Sequence, residues 1–220
     1  MTTIEVNNLT KVIRKNRVLD GISMSMASGK IYGFRGINGS GKTMLMRCII
    51  CLIRATEGSV SINGKVIGKD IEFPESIGFL LENPAFLDGY TGMQNLKMLT
   101  SLKGNLSEDR LMELLERVGL KGAENRKYKK YSLGMKQRLG IAAALMENPD
   151  ILVLDEPTNA LDTDGIECVK KMILEQKERG ALVILSCHDT DILINLSDEI
   201  FRLENGKIKE HITGGGKADE

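Results

Sequence analysis

The sequence predicts an α/β fold with a mostly parallel β-sheet, an antiparallel β layer near the N-terminus and an inserted helical subdomain. Three observations support this fold class. Short apolar runs alternate with segments of helical periodicity, as in parallel strands joined by crossover helices. An early run, Ser23–Met26, alternates polar and apolar residues, which favours an antiparallel layer. The segment from Asn83 to Asn148 contains no convincing strand pattern.

The predicted elements follow one another along the whole chain. Strands are expected at the apolar or alternating runs Ile4–Leu9, Val18–Met26, Ile31–Phe34, Ser59–Asn63, Ile77–Leu81, Ile151–Leu154, Leu182–Ser186, Glu199–Leu203 and Lys207–Ile212. Helices are expected at Lys42–Ile53, Met93–Leu102, Ser107–Val118, Gly134–Met146, Thr163–Lys177 and Asp189–Leu193. Ser107 is the expected N-cap of its helix, because its hydroxyl can accept a backbone N–H of the first turn.

These elements divide the chain into three parts. Residues 1–82 and 149–212 form an α/β core, and residues 83–148 form a helical subdomain inserted into it. Residues 213–220 are polar and rich in glycine, so we expect a flexible tail.

Composition narrows the class of protein. The chain has 220 residues, of which 42% are hydrophobic, so it can bury a substantial core. It carries 30 basic and 30 acidic residues and no net charge, which argues against nucleic acid as a partner. No apolar run approaches the roughly 20 residues of a membrane helix, and the N-terminal segment lacks signal-peptide features. We therefore expect a cytoplasmic protein.

The cysteines do not indicate a metal or redox centre. Cys48 and Cys51 have the CxxC spacing but lie inside the apolar run CIICLI, with no second pair or histidine nearby. We interpret them as buried thiols. The basic stretch from Lys121 to Lys130 is interpreted as a solvated loop in preference to an anionic docking patch.

The segment GINGSGKT, from Gly36 to Thr43, is the strongest functional signal. It has the pattern G-x-x-x-x-G-K-[ST] and lies between an apolar strand and an apolar helix. Its glycines allow successive backbone N–H groups to point at one phosphate, and the following helix directs its N-terminus at the same place. Lys42 can contact the β- and γ-phosphates, and the Thr43 hydroxyl can bind Mg²⁺. A P-loop NTPase core is therefore predicted, although the loop alone does not separate kinases, GTPases and other ATPases.

A pair of carboxylates follows the buried strand ILVL. Ligands bind beyond the carboxyl ends of parallel strands, so Asp155 should emerge beside the phosphate loop, where Mg²⁺ needs an oxygen ligand. Glu156 lies one residue further and can face a water molecule as a general base.

Three more segments complete a family pattern. They are YSLGMKQRL from Tyr131, NALD from Asn159 to Asp162, and His188 after the apolar strand LVILS. With the phosphate loop, and in this order, they resemble the ATP-binding subunit of ABC transporters over almost the whole chain, from Ile4 to about Ile212.

The resemblance implies a role for each matching position. ATP would contact Ile13 and the phosphate loop with its flank: Gly36, Ile37, Asn38, Gly39, Ser40, Gly41, Lys42, Thr43 and Met44. Mg²⁺ would be held by Thr43, Asp155 and Glu82. Catalysis would involve Lys42, Glu156 and the switch histidine His188. The signature residues Ser132, Leu133, Gly134 and Met135 would contact ATP held by a second subunit, and Asp162 would cross the interface in the D-loop.

The sequence departs from the family pattern at several of these positions. Ile13 stands where the family usually stacks an aromatic ring on adenine, and Glu82 stands where it usually has glutamine. Leu133 and Met135 replace a usual glycine and glutamine. Glu82 together with SLGMKQRLGIA resembles the subgroup that exports, or gives immunity to, antimicrobial peptides such as bacitracin and lantibiotics.

The resulting expectation is an ATPase subunit that powers a membrane transporter. Its partners would be a transmembrane permease and a second ATP-binding subunit, identical or paralogous, so that it lies on the inner face of the membrane. The main alternative is an ABC-type ATPase acting on ribosomes or DNA, which usually has two cassettes or a long coiled-coil insertion. A small-molecule kinase would need an acceptor site and would not require Ser132, Asp162 and His188 in register.

Overall fold

Ten strands and six α-helices make up the part of the chain that the computed structural model describes, residues 1–102, 104 and 106–214. The strands are β1 (Thr3–Ile13), β2 (Asn16–Ala27), β3 (Ile31–Arg35), β4 (Glu57–Ile62), β5 (Lys65–Val66), β6 (Ile77–Leu80), β7 (Ile151–Asp155), β8 (Leu182–Ser186), β9 (Glu199–Glu204) and β10 (Lys207–Thr213). The helices are α1 (Lys42–Ile49), α2 (Gly92–Thr100), α3 (Glu108–Arg117), α4 (Leu133–Leu145), α5 (Thr163–Glu178) and α6 (Thr190–Leu196).

The strands form two sheets. The larger has the order β10-β9-β3-β8-β7-β6, and all its neighbours are parallel except β10, which pairs antiparallel with β9. The smaller sheet, β2-β1-β4-β5, is antiparallel. The predicted combination of a mainly parallel sheet with an antiparallel layer is therefore confirmed.

The central strands are buried on both faces because helices or the second sheet cover each face. All five residues of β7 and of β8 are buried. Successive side chains of a strand point to opposite faces, so Leu152 and Leu154 pack with the helical subdomain while Ile151 and Val153 pack toward α1 and the antiparallel sheet. Two apolar clusters thus meet at one sheet and hold the core and the inserted segment together.

The inserted segment contains α2, α3 and α4, and none of its described residues belongs to a named strand. Ser107 caps α3 as predicted, accepting a hydrogen bond from the Arg110 N–H at 3.3 Å. A short 3₁₀-helix, Tyr128–Lys130, precedes α4 and was not predicted. Tyr128 and Tyr131 anchor this stretch, since both rings are buried and Tyr131 donates to the Ala123 carbonyl at 2.8 Å.

Several boundaries differ from the predictions. Helix α1 ends at Ile49 and not at Ile53, because Cys51 adopts the left-handed conformation, with φ of 62°, that commonly ends a helix. The two-residue strand β5 has too few residues to give a pattern. Strand β10 extends to Thr213, which pairs with Glu199, and residues 215–220 of the predicted tail lie outside the described residues.

The cysteines are free thiols. Cys48 is buried, and burial raises its pKa to about 11, whereas Cys51 is only half-buried. Among the described residues, no cluster of His, Cys, Asp and Glu could enclose a metal ion. None of the helices in that part of the chain is long and apolar enough to cross a bilayer.

Candidate functional site

A cavity of about 450 Å³ lies at the carboxyl ends of β3, β7 and β8. Its lining combines the phosphate loop with residues that follow the neighbouring strands: Val18, Asn38, Gly39, Gly41, Lys42, Thr43, Met44, Glu82, Asn83, Gln137, Asp155, Glu156, Asn159 and His188. This is the edge at which parallel α/β sheets bind ligands, because the loops leave the strands there and helices begin. The structure therefore brings most of the predicted core site residues to one place.

The phosphate loop is closed around the Lys42 side chain. The buried Lys42 ammonium donates to the Gly36 carbonyl at 2.6 Å and to the Ile37 carbonyl at 3.3 Å. Gly41 precedes α1 with φ of 110°, a conformation open to glycine and strained for other residues. The loop thus presents an ammonium group and the N-terminus of α1, which together suit an anion such as a phosphate.

Both carboxylate oxygens of Asp155 accept a hydrogen bond from a hydroxyl group. The Thr43 hydroxyl donates to Oδ2 at 2.5 Å, and the Ser186 hydroxyl donates to Oδ1. The carboxylate is buried, so these bonds fix its orientation toward the end of the phosphate loop. A hydroxyl and a carboxylate side by side are the oxygen donors that Mg²⁺ prefers, and phosphate oxygens and water would complete its coordination. The donor set therefore fits the ion.

Glu156 has an unusual backbone and one free oxygen. Its φ of 53° lies in the left-handed region, and its N–H donates to the carbonyl and the hydroxyl of Ser186 at 3.1 and 3.2 Å. The His188 N–H donates to Oε2 at 2.7 Å. The other oxygen, Oε1, is buried without a hydrogen-bond partner in the described structure and lies 3.7 Å from His188 Nε2. Glu156 lines the cavity, and a carboxylate oxygen without a hydrogen-bond donor can accept a proton from a water molecule.

The segment around Ser132 lies apart from this cavity. Ser132 caps α4, and its oxygen accepts the Met135 N–H at 3.2 Å. Neither Ser132, Leu133, Gly134 nor Met135 lines the cavity, and Leu133 is 61% exposed. The N-terminus of α4 is therefore exposed at the surface, outside the cavity.

Comparison with known proteins identifies the family of this chain. Residues 19–159 match the family model described as ABC transporter. An uncharacterized ABC transporter ATP-binding protein of Bacillus subtilis, YybJ, is 47% identical over 206 residues, which are 94% of each chain. The chain belongs to the ABC transporter ATP-binding family.

Relatives within the ABC family include proteins named for antibiotic transport. The bacitracin transport ATP-binding protein BcrA of Enterococcus faecalis is 37% identical over 211 residues, covering 95% of this chain and 68% of BcrA. The lantibiotic transport ATP-binding protein SrtF of Streptococcus pyogenes is 35% identical over 206 residues, covering 93% and 88%. This chain is thus an ABC ATP-binding subunit, and the family is one of ATPases.

Solved structures agree with the fold. The ATP-binding subunit of an ABC transporter superimposes with a TM-score of 0.88 at 28% identity, covering 96% of this chain and 89% of the other. The ATP-binding cassette MJ0796, in a dimeric post-hydrolysis state with ADP and phosphate bound, gives 0.84 at 25% identity, covering 96% and 98%. The P-loop core with an antiparallel layer and inserted helices is the ABC cassette architecture.

Three predicted positions remain, and only one of them, Glu82, lines the cavity. Glu82 lines the cavity with φ of 57°, and its carboxylate accepts from the Arg47 guanidinium at 2.7 Å. Asp162 caps α5 and accepts from Arg138 at 2.7 Å. Ile13 ends β1, is 37% exposed and does not line the cavity, which Val18 lines instead.

Two contributors were not recognised in the sequence. Ser186 orients Asp155 and also receives the Glu156 N–H. The only signal in the sequence was a hydroxyl at the end of the otherwise apolar run LVILS, and the structure shows that this strand pairs with the one that ends at Asp155. Gln137 reaches Glu156 from α4, and its position one turn beyond the Ser132 segment gave no indication that it would be buried against the core.

Proposed function

We propose that this chain hydrolyses ATP as one of two subunits that drive a membrane permease exporting an antimicrobial peptide. The observation that carries the proposal is the separation of two halves of a site. The cavity holds Lys42, Asp155 and Glu156, while the Ser132 helix start is exposed elsewhere on the same chain. The names of the relatives BcrA and SrtF support the transported class.

Each core residue has a defined task in this proposal. Lys42 leaves the loop carbonyls and binds the β- and γ-phosphate oxygens, because these oxygens are negatively charged and the carbonyls are neutral. Thr43 and Asp155 would hold Mg²⁺, which neutralises phosphate charge when bound. Glu156 Oε1 accepts a proton from the attacking water, and the ring of His188 stands beside the same oxygen, close to where the γ-phosphate would lie.

A second subunit would complete the site from the opposite side. The Ser132 oxygen already accepts the Met135 N–H, and a hydroxyl keeps one hydrogen to donate. That hydrogen and the N-terminus of α4 form an anion-binding surface that suits a γ-phosphate. Two chains arranged head to tail would each supply one cavity and one such surface, so ATP would favour the closed pair. The dimeric state of the related MJ0796 cassette supports this arrangement.

An apolar groove offers a place for the permease. It has a volume of about 550 Å³ and lies between β6, the segment after it and α4. Its lining is mainly apolar, with Phe73 and Phe79 about 40% exposed and Leu102 80% exposed. Asn83 lines both this groove and the ATP cavity. We propose that a helical segment of the permease binds in this groove. A movement of the segment after β6 would then change both the groove and the ATP cavity.

A complementation experiment tests the shared site. Lys42→Ala removes the ammonium from the cavity, and Ser132→Glu places a negative charge where the partner's γ-phosphate would lie. Ser132 is exposed but caps α4, so its replacement should cost about 1 kcal/mol of stability and leave the chain folded. Each variant alone should lose hydrolysis. After mixing and subunit exchange, half of the dimers would be heterodimers with one intact site of two, so activity should return to a measurable level of at most about a quarter of the wild-type value.

The outcome separates the alternatives. No recovery, in a mixture shown to contain heterodimers, would contradict a site shared between two chains. Normal ATP binding by the Lys42→Ala variant would contradict the phosphate contact. Affinity purification from detergent-solubilised membranes should recover a permease, whereas co-purification with ribosomes or DNA would favour the alternative kind of ABC ATPase.

A further inference from the structure

Gln137 connects the helical subdomain to the backbone of Glu156. It lies on α4, five residues after Ser132, and is only 5% exposed. Its amide Nε2 donates to the Glu156 carbonyl at 3.0 Å, and the Asn159 N–H donates to the same oxygen at 3.2 Å. One bond therefore comes from the local turn and the other comes from a different subdomain.

Helix α4 touches the segment after Glu156 at two further places. Gly134 lies so close to Ala160 that a Cβ there would be 2.7 Å from the Ala160 carbonyl oxygen. Arg138 bonds to the Asp162 carboxylate at 2.7 Å, as described above. Three successive contacts thus make the segment from Glu156 to Asp162 follow the position of α4. A shift of this helix would change the environment of Glu156.

We propose that Gln137 is a positioning residue that links the partner's nucleotide to the general base of its own chain. The inference rests on the proposed function, in which the start of α4 binds ATP held by the partner. Because α4 is a rigid helix, engagement of Ser132 sets the place of Gln137 about 7 Å further along the axis. Gln137 then holds the left-handed backbone of Glu156, the residue that lines the cavity and carries the unpaired Oε1. Each ATP would thereby prepare the opposite site, which couples the two hydrolysis events.

The test replaces the amide by a group of similar size that cannot donate. Gln137→Met keeps the length and apolar body of the side chain but loses the bond to the Glu156 carbonyl. Gln176→Met is the matched control, because Gln176 is 7% exposed and lies on α5 with Arg179 as its partner, away from the ATP cavity. Steady-state hydrolysis at varied ATP, and amide hydrogen exchange without nucleotide, are measured for both variants and the wild type.

A positioning role predicts a specific pattern. The kcat of Gln137→Met should fall roughly three- to tenfold, the range expected for one hydrogen bond, while KM for ATP stays within about twofold. The Hill coefficient for ATP should fall toward one, and the amides of Glu156 and Asn159 should exchange faster than in the wild type. Gln176→Met should leave kcat, the Hill coefficient and exchange at these two amides unchanged.

Other outcomes overturn the inference. If Gln137→Met keeps the wild-type kcat and Hill coefficient, or if exchange at Glu156 and Asn159 does not change, Gln137 does not position the base, although the proposed function stands. If Gln176→Met shows the same losses, the effect is one of general stability and the link is absent. A wild-type protein that hydrolyses no ATP would remove the proposed function and this inference with it.

Discussion

The two halves of the proposed ATP site differ in exposure and in how many hydrogen bonds their side chains make within the chain. In the core half, Lys42 and Asp155 are buried, and each has hydrogen-bond partners in the same chain. In the signature half, Ser132 and Leu133 are exposed, and the Ser132 oxygen bonds only to its own helix among the described residues. The first half is organised by hydrogen bonds within the chain, whereas the second presents an open surface.

This difference has an energetic reason. A charge buried without a partner is costly, so a site that carries Lys42 and Asp155 on a buried sheet edge must supply bonds within the chain. A serine and a helix N-terminus can remain solvated at little cost until an anion arrives. The comparison therefore shows that the proposed phosphate and metal ligands are held rigidly within the chain. The exposed start of α4 remains accessible to a second molecule.

The largest expected effect is on the core half. Glu156→Gln keeps the shape of the side chain but removes the base, so hydrolysis should fall by about 10²–10³-fold. ATP binding should persist, and a closed dimer should accumulate with ATP, as measured by phosphate release and gel filtration. Turnover at the wild-type rate would show that Glu156 is not the base. Glu57→Gln, a change at an exposed glutamate at the start of β4, serves as the control.

A smaller effect is expected where the start of α4 contacts the loop after Glu156. Gly134→Ala places a Cβ 2.7 Å from the Ala160 carbonyl oxygen, so the start of α4 or the loop after Glu156 must shift. Hydrolysis should fall roughly tenfold, while nucleotide affinity of the isolated chain remains unchanged because the phosphate loop is untouched. Isothermal titration and phosphate release measure the two quantities separately. A matching loss of affinity would mean that the two halves are not independent in binding.

The sequence predicted the core half better than the signature half. The core strands have strong signals, since β7 and β8 are continuous apolar runs that end at Asp155 and Ser186, and the phosphate loop has a fixed spacing. In the inserted segment, the 3₁₀-helix at Tyr128–Lys130 depends on tertiary anchoring by tyrosine rings and has no local pattern. The contact between Gln137 and Glu156 joins residues 19 positions apart, so only the folded chain reveals it.

Glu82 lies between the ATP cavity and the apolar groove and should affect coupling more than binding. Its carboxylate is 59% exposed and bonds to Arg47 at 2.7 Å. Glu82→Gln removes the charge but keeps an oxygen acceptor, so we expect ATP affinity within about twofold of the wild type and little loss of stability. Export by the assembled transporter should change relative to ATP hydrolysis. Unchanged export per ATP hydrolysed would remove Glu82 from the coupling role.

The smallest effect is expected at Glu199, which begins β9 and so lies at the opposite end of the parallel strands from the ATP cavity. Burial alone raises the pKa of Glu199, but hydrogen bonds from Lys30 and His211, each 2.8 Å long, outweigh it and hold the pKa below its ordinary value. A carboxylate whose pKa is lowered by folding stabilises the protein above its unfolded pKa, and this contribution disappears as pH falls through the folded value. Glu199→Gln should therefore reduce the free energy of unfolding by about 1 kcal/mol at pH 7, and the difference should disappear as pH falls through the lowered pKa of Glu199. Urea unfolding at several pH values measures this loss, and hydrolysis should stay at the wild-type rate.

Two results would contradict this prediction. A stability difference that persists at low pH would assign the effect to packing. Reduced hydrolysis would mean that the two ends of the parallel strands are not independent.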